Sequence, residues 1–563
     1  MKIVIVGGVA GGATAAARLR RLDEKAEILI FERTGYISYA NCGLPYYIGG
    51  VIEDREDLTL QTPESFWARF RIEARTHSDV LSVDRAAKTV RVRDLRDGRE
   101  YAESYDKLIL SPGAKAVRPD LPGIDLDRVF TLRTVEDTFR IRDFLDANKP
   151  RRAVVIGGGF IGLEMTENLL HAGVETTLIQ RGAHVMPPLD PDMASEVHAY
   201  LRKKGVDLRL NTSFTGFEAA KNGIRVLLEN NCAIEANFAI LSIGVVPDSA
   251  LAREAGLPLG AKGSIIVDEH MRTADPDIYA VGDAVEIHRL VLDRPALVSL
   301  AGPANKQGRI AADNICGRQS SFKGALGSSV LKLFDMTIAS TGLNETMARA
   351  AGIDCDKVVT FSANHATYYP GARNMTIKTV FDPKSGQILG AQIIGFDGAD
   401  KRIDVLATAI QAGMTGADLA ELDLAYAPPY SSAKDPVNMA GFVIENIRGG
   451  LVKQFHWNEI AGLDPAKVTL LDVRTEGEYA RGCIPGFINI PLDSLRERIQ
   501  ELDPAKPVYV HCYSGLRSYI ACRILSGHGF DCFNLSGGYR FYDQNMRDAA
   551  FDGDPRHPCG VRI

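Results

Sequence analysis

Cysteine is scarce and irregularly placed in this 563-residue chain. Nine are present, an odd number with no regular spacing, which excludes a disulfide framework, and no CxxC pair suggests zinc. Net positive charge is also missing: 65 basic against 71 acidic residues leave −6. That balance excludes bulk nucleic-acid or anionic-membrane binding, although a local basic patch can still take a small anion. No stretch approaches 18 uninterrupted apolar residues, so no membrane span is expected. The opening KIVIVGG is strand-like and lacks the order of regions found in a signal peptide, which predicts a cytoplasmic protein. Low-complexity tracts and long internal linkers are absent as well. Most of the cysteines are expected to be small buried apolar residues, and the question is which are not.

Two strand-like runs each lead into a glycine turn and a helical stretch: IVIVGGVAGGATAAARLRRL from Ile3, and AVVIGGGFIGLEMTENLLHAG from Ala153. A pyrophosphate needs free N–H groups at a helix N-terminus, and glycines that let it come close. Gly157, Gly159 and Gly162 match G-x-G-x-x-G outright. In the first turn Gly7 and Gly12 keep the outer positions while Val9 takes the middle one. Glu32, 20 residues past Gly12, stands where a carboxylate accepts from a ribose hydroxyl, with Arg33 beside it. One such turn alone is as often only a tight turn. Two in one chain, each between strand and helix, predict two bound dinucleotides. The second strand ends on Gln180 and Arg181 instead of an acid, which leaves NADH and NADPH both open.

These features resemble the pyridine nucleotide–disulfide oxidoreductases, in which the N-terminal unit holds FAD and the inserted unit NAD(P)H. TADPDIYAVGDA (273–284) looks like a third signature of that family, and by resemblance Asp283 meets the flavin ribityl chain. LILSPGA (108–114, with Gly113) and ILSIGVVPD (240–248) resemble its two crossover segments. Dithiol members carry Cys-x4-Cys; here Cys42 is followed at the second position by Tyr47. One thiol cannot close an internal disulfide, so its oxidised form is a sulfenic acid, a persulfide or a mixed disulfide with substrate. A helix N-terminus after Cys42 is expected to favour its thiolate.

The single-cysteine pattern resembles the coenzyme A disulfide reductases and the single-cysteine NADH oxidases and peroxidases. That likeness implies a coenzyme A site involving Thr14, Arg18 and Arg21 on the first helix, Ser38 and Asn41 beside the thiol, and, more weakly, Asn305 and Arg309. Each arginine is as readily part of a solvated basic face. Tyr368, Tyr426 and Lys434 match active-site positions that the subfamily supplies from the partner subunit, which implies a homodimer. A phenol there can give a proton to a leaving thiolate; otherwise the tyrosines are interface aromatics.

From Val468 the chain resembles a rhodanese domain. LLDVRTEGEYARGCIPGFINIP (470–491) carries Asp472 and Arg474, with Cys483 where the family usually has histidine. VYVHCYSGLRSYIACRIL (508–525) supplies a Cys-x-x-Gly-x-Arg loop from Cys512 to Arg517. Successive N–H groups in such a loop form a nest for a sulfur anion. Cys522 and Cys532 flank it as possible resolving thiols, with buried packing the simpler role.

The expected fold is α/β. It comprises a Rossmann-like FAD domain (1–150 with 260–325), a Rossmann-like NAD(P)H domain (151–259) and an α+β dimerisation domain (326–448). A linker (449–467) and an α/β rhodanese domain (468–563) follow. The expected activity is NAD(P)H- and FAD-dependent reduction of persulfides or polysulfides, coenzyme A persulfide included, through Cys42, with Cys512 supplying sulfane sulfur. Coenzyme A disulfide reduction, an oxidase or peroxidase, and a sulfur-sensing scaffold are the alternatives.

Overall fold

The computed structural model describes residues 1–229 and 231–551; the part of the expected C-terminal domain beyond residue 551, with Cys559, lies outside the described residues. The chain divides into two units, Met1–Val185 with Val206–Gly327, and Met186–Gly205 with the chain from Ser328 onward. No helix among the described residues is long and apolar enough to cross a membrane.

The first unit contains two parallel five-stranded sheets. One runs Ile278–Ala280, Lys107–Leu110, Lys2–Val6, Glu27–Phe31, Glu73–Arg75 in spatial order. The other runs Asp207–Arg209, Glu175–Ile179, Arg152–Ile156, Phe238–Leu241, Val129–Phe130. KIVIV, EILIF and RAVVI are almost wholly buried, as strands covered on both faces must be. Helices Ala10–Leu22 and Phe160–His171 follow Lys2–Val6 and Arg152–Ile156, the middle strands of the two sheets. The two crossover segments pair with each other, Ala114–Ala116 antiparallel to Val245–Pro247.

In the second unit an antiparallel sheet runs Ser329–Leu333, Met336–Gly342, Ile388–Gly395, Asn374–Phe381, Asp356–Ala363. Beside it a parallel sheet runs Lys453–Phe455, Cys532–Leu535, Val508–His511, Thr469–Asp472, Ile488–Asn489. Two differences from the sequence reading stand out. Lys453–Phe455, read as linker, is an edge strand pairing with Phe533–Leu535; three residues are too few to show a period. Residues 186–205, read within the nucleotide domain, group with the second unit because helix Pro191–Lys203 packs there.

That packing is ionic as well as apolar. Lys378, with no exposed surface, donates to Asp192 at 2.8 Å and to Glu345 at 3.0 Å, and its ammonium lies 3.0 Å from Asp190. Helix Gly538–Ala549 is seated on the same segment: Asp548 accepts from His198 Nδ1 at 2.7 Å and from Arg202 at 2.6 Å, and Gln544 donates to the Ser195 carbonyl. The Arg540 guanidinium lies 4.4 Å above the Phe361 ring, and Val359 N–H donates to Ser536 Oγ. The C-terminal sheet is therefore fastened to its neighbours from two sides.

Burial opposes ionisation of Glu345, but Lys378 and Lys357 outweigh it and hold the carboxyl at about 2. Because that value is depressed, its stabilisation is present above the unfolded range and is lost as pH falls toward 2. Replacing Lys378 by Met leaves Asp190 and Asp192 without their counter-charge, while Glu345 keeps Lys357, and is expected to destabilise this unit by about 3–5 kcal/mol at pH 7. In that variant, acidification toward pH 4 should recover stability instead of losing it. Urea melts at the two pH values measure both effects.

Candidate active site

The two glycine turns are built alike. Gly7 and Gly157 have φ of +96° and +106°, and a Cβ on either would strike the carbonyl of Ser111 (2.1 Å) or Ser242 (2.4 Å). A Cβ on Gly12 or Gly162 would reach the oxygen of Gly7 or Gly157 at under 2 Å, so both helices press against their turns. Gly159 differs, since its Cβ would meet nothing within 4 Å. That open space lies at the helix N-terminus, where a pyrophosphate fits. Glu32 accepts from Gly8 N–H at 2.9 Å, and Gln180 Oε1 accepts from Gly158 N–H at the same distance. The two side chains thus occupy equivalent places, one charged and one neutral. Arg181 is exposed.

Arg33 is not free: it donates to Asp79 and Asp248. Asp283, in the turn Gly282–Ala284, accepts from Arg133 at 2.5 Å, and Arg133 also donates to the Ala114 carbonyl beside Gly113. Gly113 has φ of +72°, with the Arg133 guanidinium 3.8 Å from where its Cβ would stand. These contacts bring both expected flavin segments to one place. Arg133 was not signalled by any pattern in the sequence.

Cys42 sits in the one-turn segment Asn41–Gly43, which runs into the five-residue helix Leu44–Ile48. Ser38, at φ of +47°, ties this loop to the first glycine turn by donating its N–H to the Gly8 carbonyl. Tyr47, at the second-cysteine position, packs edge-on against Phe139. The short helix rests on Phe160–His171 so tightly that a Cβ on Gly49 would fall 2.2 Å from Asn168 Oδ1. This packing brings Glu164, on the second glycine-turn helix, near Cys42, with Glu167 beside Glu164.

The electrostatics differ from the expectation of a favoured thiolate. Burial raises the Cys42 pKa, the Glu164 and Asp283 carboxylates raise it further, and only Arg133 opposes them. A five-residue helix offers too little dipole to reverse this. Burial, with Glu167 adding to it, pushes the Glu164 carboxyl up to about 7, and the same surroundings push Tyr46 to about 12. Glu164 sits two residues past Gly162, the last glycine of GGGFIGLE; that is visible in sequence, but its burial is not.

Of the remaining first-unit candidates, Thr14 donates to Asn305 Oδ1 at 2.7 Å. Arg18 donates twice to Asp313, both at 2.8 Å, and so is already neutralised. Its partner lies 295 positions away, which no local pattern reveals. Arg21 and Arg309 are exposed, and Asn41 is half-buried.

In the second unit Tyr368 and Tyr426 come together, their hydroxyls 2.7 Å apart and both rings exposed, and Lys434 is exposed nearby in sequence. Cys512 directly follows strand Val508–His511. Its buried sulfur accepts from Gly515 N–H at 3.1 Å and from Ser518 Oγ at 3.3 Å. Gly515 caps the following helix with φ of +104°, the left-handed turn that aims its N–H at the sulfur. Arg517 is held by Glu478 through two 2.7 Å bonds, which lower that carboxyl to about 2. Glu478 was missed in the sequence, and it cancels much of the charge expected from Arg517. Backbone and hydroxyl donors are left to hold a sulfur anion. Beneath the loop, Asp472 and Arg474 form a buried pair, and burial keeps His511 neutral, at about 4. Cys483 is exposed.

Because the Glu164 value is raised, its ionisation costs stability progressively as pH rises from the unfolded range through 7. Glu164→Gln is expected to raise the thermal midpoint at pH 8 but not at pH 4.5. Removing the neighbouring carboxylate should also speed alkylation of Cys42 by iodoacetamide several-fold at pH 8. Unchanged alkylation would show that the carboxylate does not govern the thiol.

Residues 1–308 match the family model described as pyridine nucleotide-disulphide oxidoreductase, 328–436 its dimerisation domain, and 459–544 the rhodanese-like domain. A coenzyme A disulfide reductase of Staphylococcus aureus is 40% identical over 442 residues, 78% of this chain and 99% of that protein. The crystal structure of reduced Bacillus anthracis CoADR-RHD is 47% identical with a TM-score of 0.95, covering 97% of this chain and 98% of that one. The NAD-dependent persulfide reductase from A. fulgidus is 39% identical with a TM-score of 0.90, covering 96% and 100%. With a lone thiol beside two dinucleotide turns and a second thiol in a six-residue loop, the chain belongs to the pyridine nucleotide–disulphide oxidoreductases and carries a rhodanese-like domain after its dimerisation domain.

Proposed function

We propose that the protein is a nicotinamide- and FAD-dependent reductase of persulfides and polysulfides, coenzyme A persulfide among them, that releases sulfide. One observation carries this reading: the same chain holds a solitary Cys42 beside the flavin turns and a Cys512 loop built to stabilise a sulfur anion. The likeness to a persulfide reductase over nearly the whole chain supports it.

Bound FAD and nicotinamide would supply the electron pair that returns Cys42 to its thiolate. The glycine turns would hold the two dinucleotides: Gly7, Gly12 and Glu32 at the first, Gly157, Gly159, Gly162 and Gln180 at the second. Asp283, held by Arg133, would bind the ribityl chain. The Cys42 thiolate attacks the outer sulfur of R–S–SH, forming Cys42–S–SH and expelling RS⁻. Two electrons then cleave the new S–S bond, giving HS⁻ and the Cys42 thiolate. Glu164, held half-protonated near neutrality, keeps the surroundings from accumulating a second negative charge when Cys42 ionises. Thr14, Arg21, Ser38, Asn41, Asn305 and Arg309 line the coenzyme A side. In a homodimer Tyr368, Tyr426 and Lys434 serve the partner subunit's Cys42, a phenol protonating the leaving thiolate. Cys512 takes sulfane sulfur from a donor and passes it on through coenzyme A or another small thiol.

A second reading, reduction of coenzyme A disulfide itself, is favoured by the Staphylococcus relative. Steady-state rates with coenzyme A persulfide, polysulfide and coenzyme A disulfide rank the two. Cys42→Ser is expected to abolish all nicotinamide-dependent turnover while leaving thiosulfate:cyanide sulfurtransfer intact, and Cys512→Ser to do the reverse with coenzyme A persulfide as substrate. Faster turnover of the plain disulfide would overturn the first reading in favour of the second. Oxygen consumption matching sulfide release would point instead to an oxidase.

A further inference from the structure

Helix Leu516–Gly527, which begins at the sulfur-binding loop, carries Ser518, Cys522 and Ser526 four residues apart and so on one face. Each meets a sulfur. Ser518 Oγ donates to Cys512 Sγ at 3.3 Å, at the loop. One turn further on, Cys532 Sγ, at the start of strand Cys532–Leu535, donates to the carbonyl of Cys522 at 3.2 Å, which sets the two cysteines against each other. One turn beyond that, Ser526 Oγ lies 3.1 Å from Cys532 Sγ. Cys512, Cys522 and Cys532 all belong to one apolar cluster and are 0%, 0% and 5% exposed. Three thiols and two hydroxyls thus form a column from the loop into the core.

Ordinary core packing accounts for one buried cysteine; it does not account for two neighbouring ones, the sulfur of one bonded to the carbonyl of the other, below a third that binds sulfur. We propose that Cys522 and Cys532 are a redox-active dithiol that closes to an intrachain disulfide at the expense of sulfane sulfur and thereby slows the Cys512 loop. This rests on Cys512 being the sulfane-sulfur site. The polarisation of the pair is suitable: the Cys522 thiol, and then Ser526, pull Cys532 down to about 7 against burial, while Cys522 is pushed up. Cys532 is the nucleophile and Cys522 the proton holder.

The chemistry balances. The Cys532 thiolate attacks the outer sulfur of a persulfide R–S–SH, forming Cys532–S–SH and expelling RS⁻, which takes the proton of Cys522. The Cys522 sulfur then attacks the Cys532 sulfur, the Cys522–Cys532 bond forms, and HS⁻ leaves. The net change converts R–S–SH and two thiols into R–SH, hydrogen sulfide and a disulfide; the dithiol is oxidised and the sulfane sulfur reduced. R is either Cys512 in its loaded form or a small polysulfide that enters directly. Closure draws the helix toward the strand and shifts Ser518 and Gly515, the two groups that hold the Cys512 sulfur.

The test uses the full-length holoenzyme, reduced and then treated with inorganic tetrasulfide, blocked with iodoacetamide and digested with trypsin without reductant. A cross-link between peptides Ser518–Arg523 and Ile524–Arg540 is expected, together with a several-fold fall in thiosulfate:cyanide sulfurtransfer that dithiothreitol reverses. Cys522→Ala, which leaves a small apolar group in the core, should keep the basal rate and lose the fall. In Cys512→Ser, slower cross-linking identifies the loaded loop as the source and unchanged cross-linking identifies free polysulfide; either supports the dithiol. Extra sulfur on Cys512 with Cys522 and Cys532 both singly alkylated would overturn the dithiol alone. A Cys512 that gains no sulfur would overturn the sulfane-sulfur reading on which it rests. A Cys522→Ala enzyme inhibited as strongly as the parent would overturn the brake.

Discussion

Burial and charge repulsion around Cys42 are the constraint from which the first unit's site follows. The charged groups that act on the thiol are the Glu164 and Asp283 carboxyls, and only Arg133 opposes them. A thiolate forms in such a place only if a neighbour gives up its own negative charge or a bound group compensates. Glu164 answers the first requirement, because burial leaves it able to carry a proton near neutrality. The arrangement suits a sulfur that must be reactive when substrate and reductant are in place and quiet otherwise.

The second unit solves the same problem by other means. Around Cys512 there is little net charge, since Glu478 occupies Arg517 through two bonds, and the sulfur is held by an N–H and a hydroxyl. Directed dipoles stabilise an anion, and they accept a sulfur bearing a second sulfur as readily as a bare one. Two thiols in one chain thus sit in opposite electrostatic surroundings, one governed by titrating carboxyls and one by a fixed loop.

What could be read in the sequence was whatever the backbone itself demands. Gly7, Gly12, Gly157 and Gly162 are imposed by contacts shorter than any side chain tolerates, so their spacing is a local signature. Cys42 and Cys512 stood out because each sits in a short motif that resembles a known family's, Cys42 where dithiol members begin Cys-x4-Cys and Cys512 at the head of Cys-x-x-Gly-x-Arg. Long-range partners left no trace: Asp313 on Arg18, Glu478 on Arg517 and Arg133 on Asp283 are each set by folding and not by spacing. Glu164 was in plain view two residues past a glycine, yet a carboxyl on a helix reads as solvated until the packing of Leu44–Ile48 covers it. The edge strand Lys453–Phe455 escaped for the opposite reason, being too short to carry a pattern.

The seating of helix Gly538–Ala549 bears on how such fusions change over time. Asp548 is shared by His198 and Arg202, and Arg540 covers Phe361, so residues in the appended domain are specified by a surface that lies outside it. A homologous domain spliced in from another protein would bring its sulfur chemistry but not these matching groups. Exchange between lineages is thereby discouraged, and the two halves are bound to diverge together as a single inherited piece.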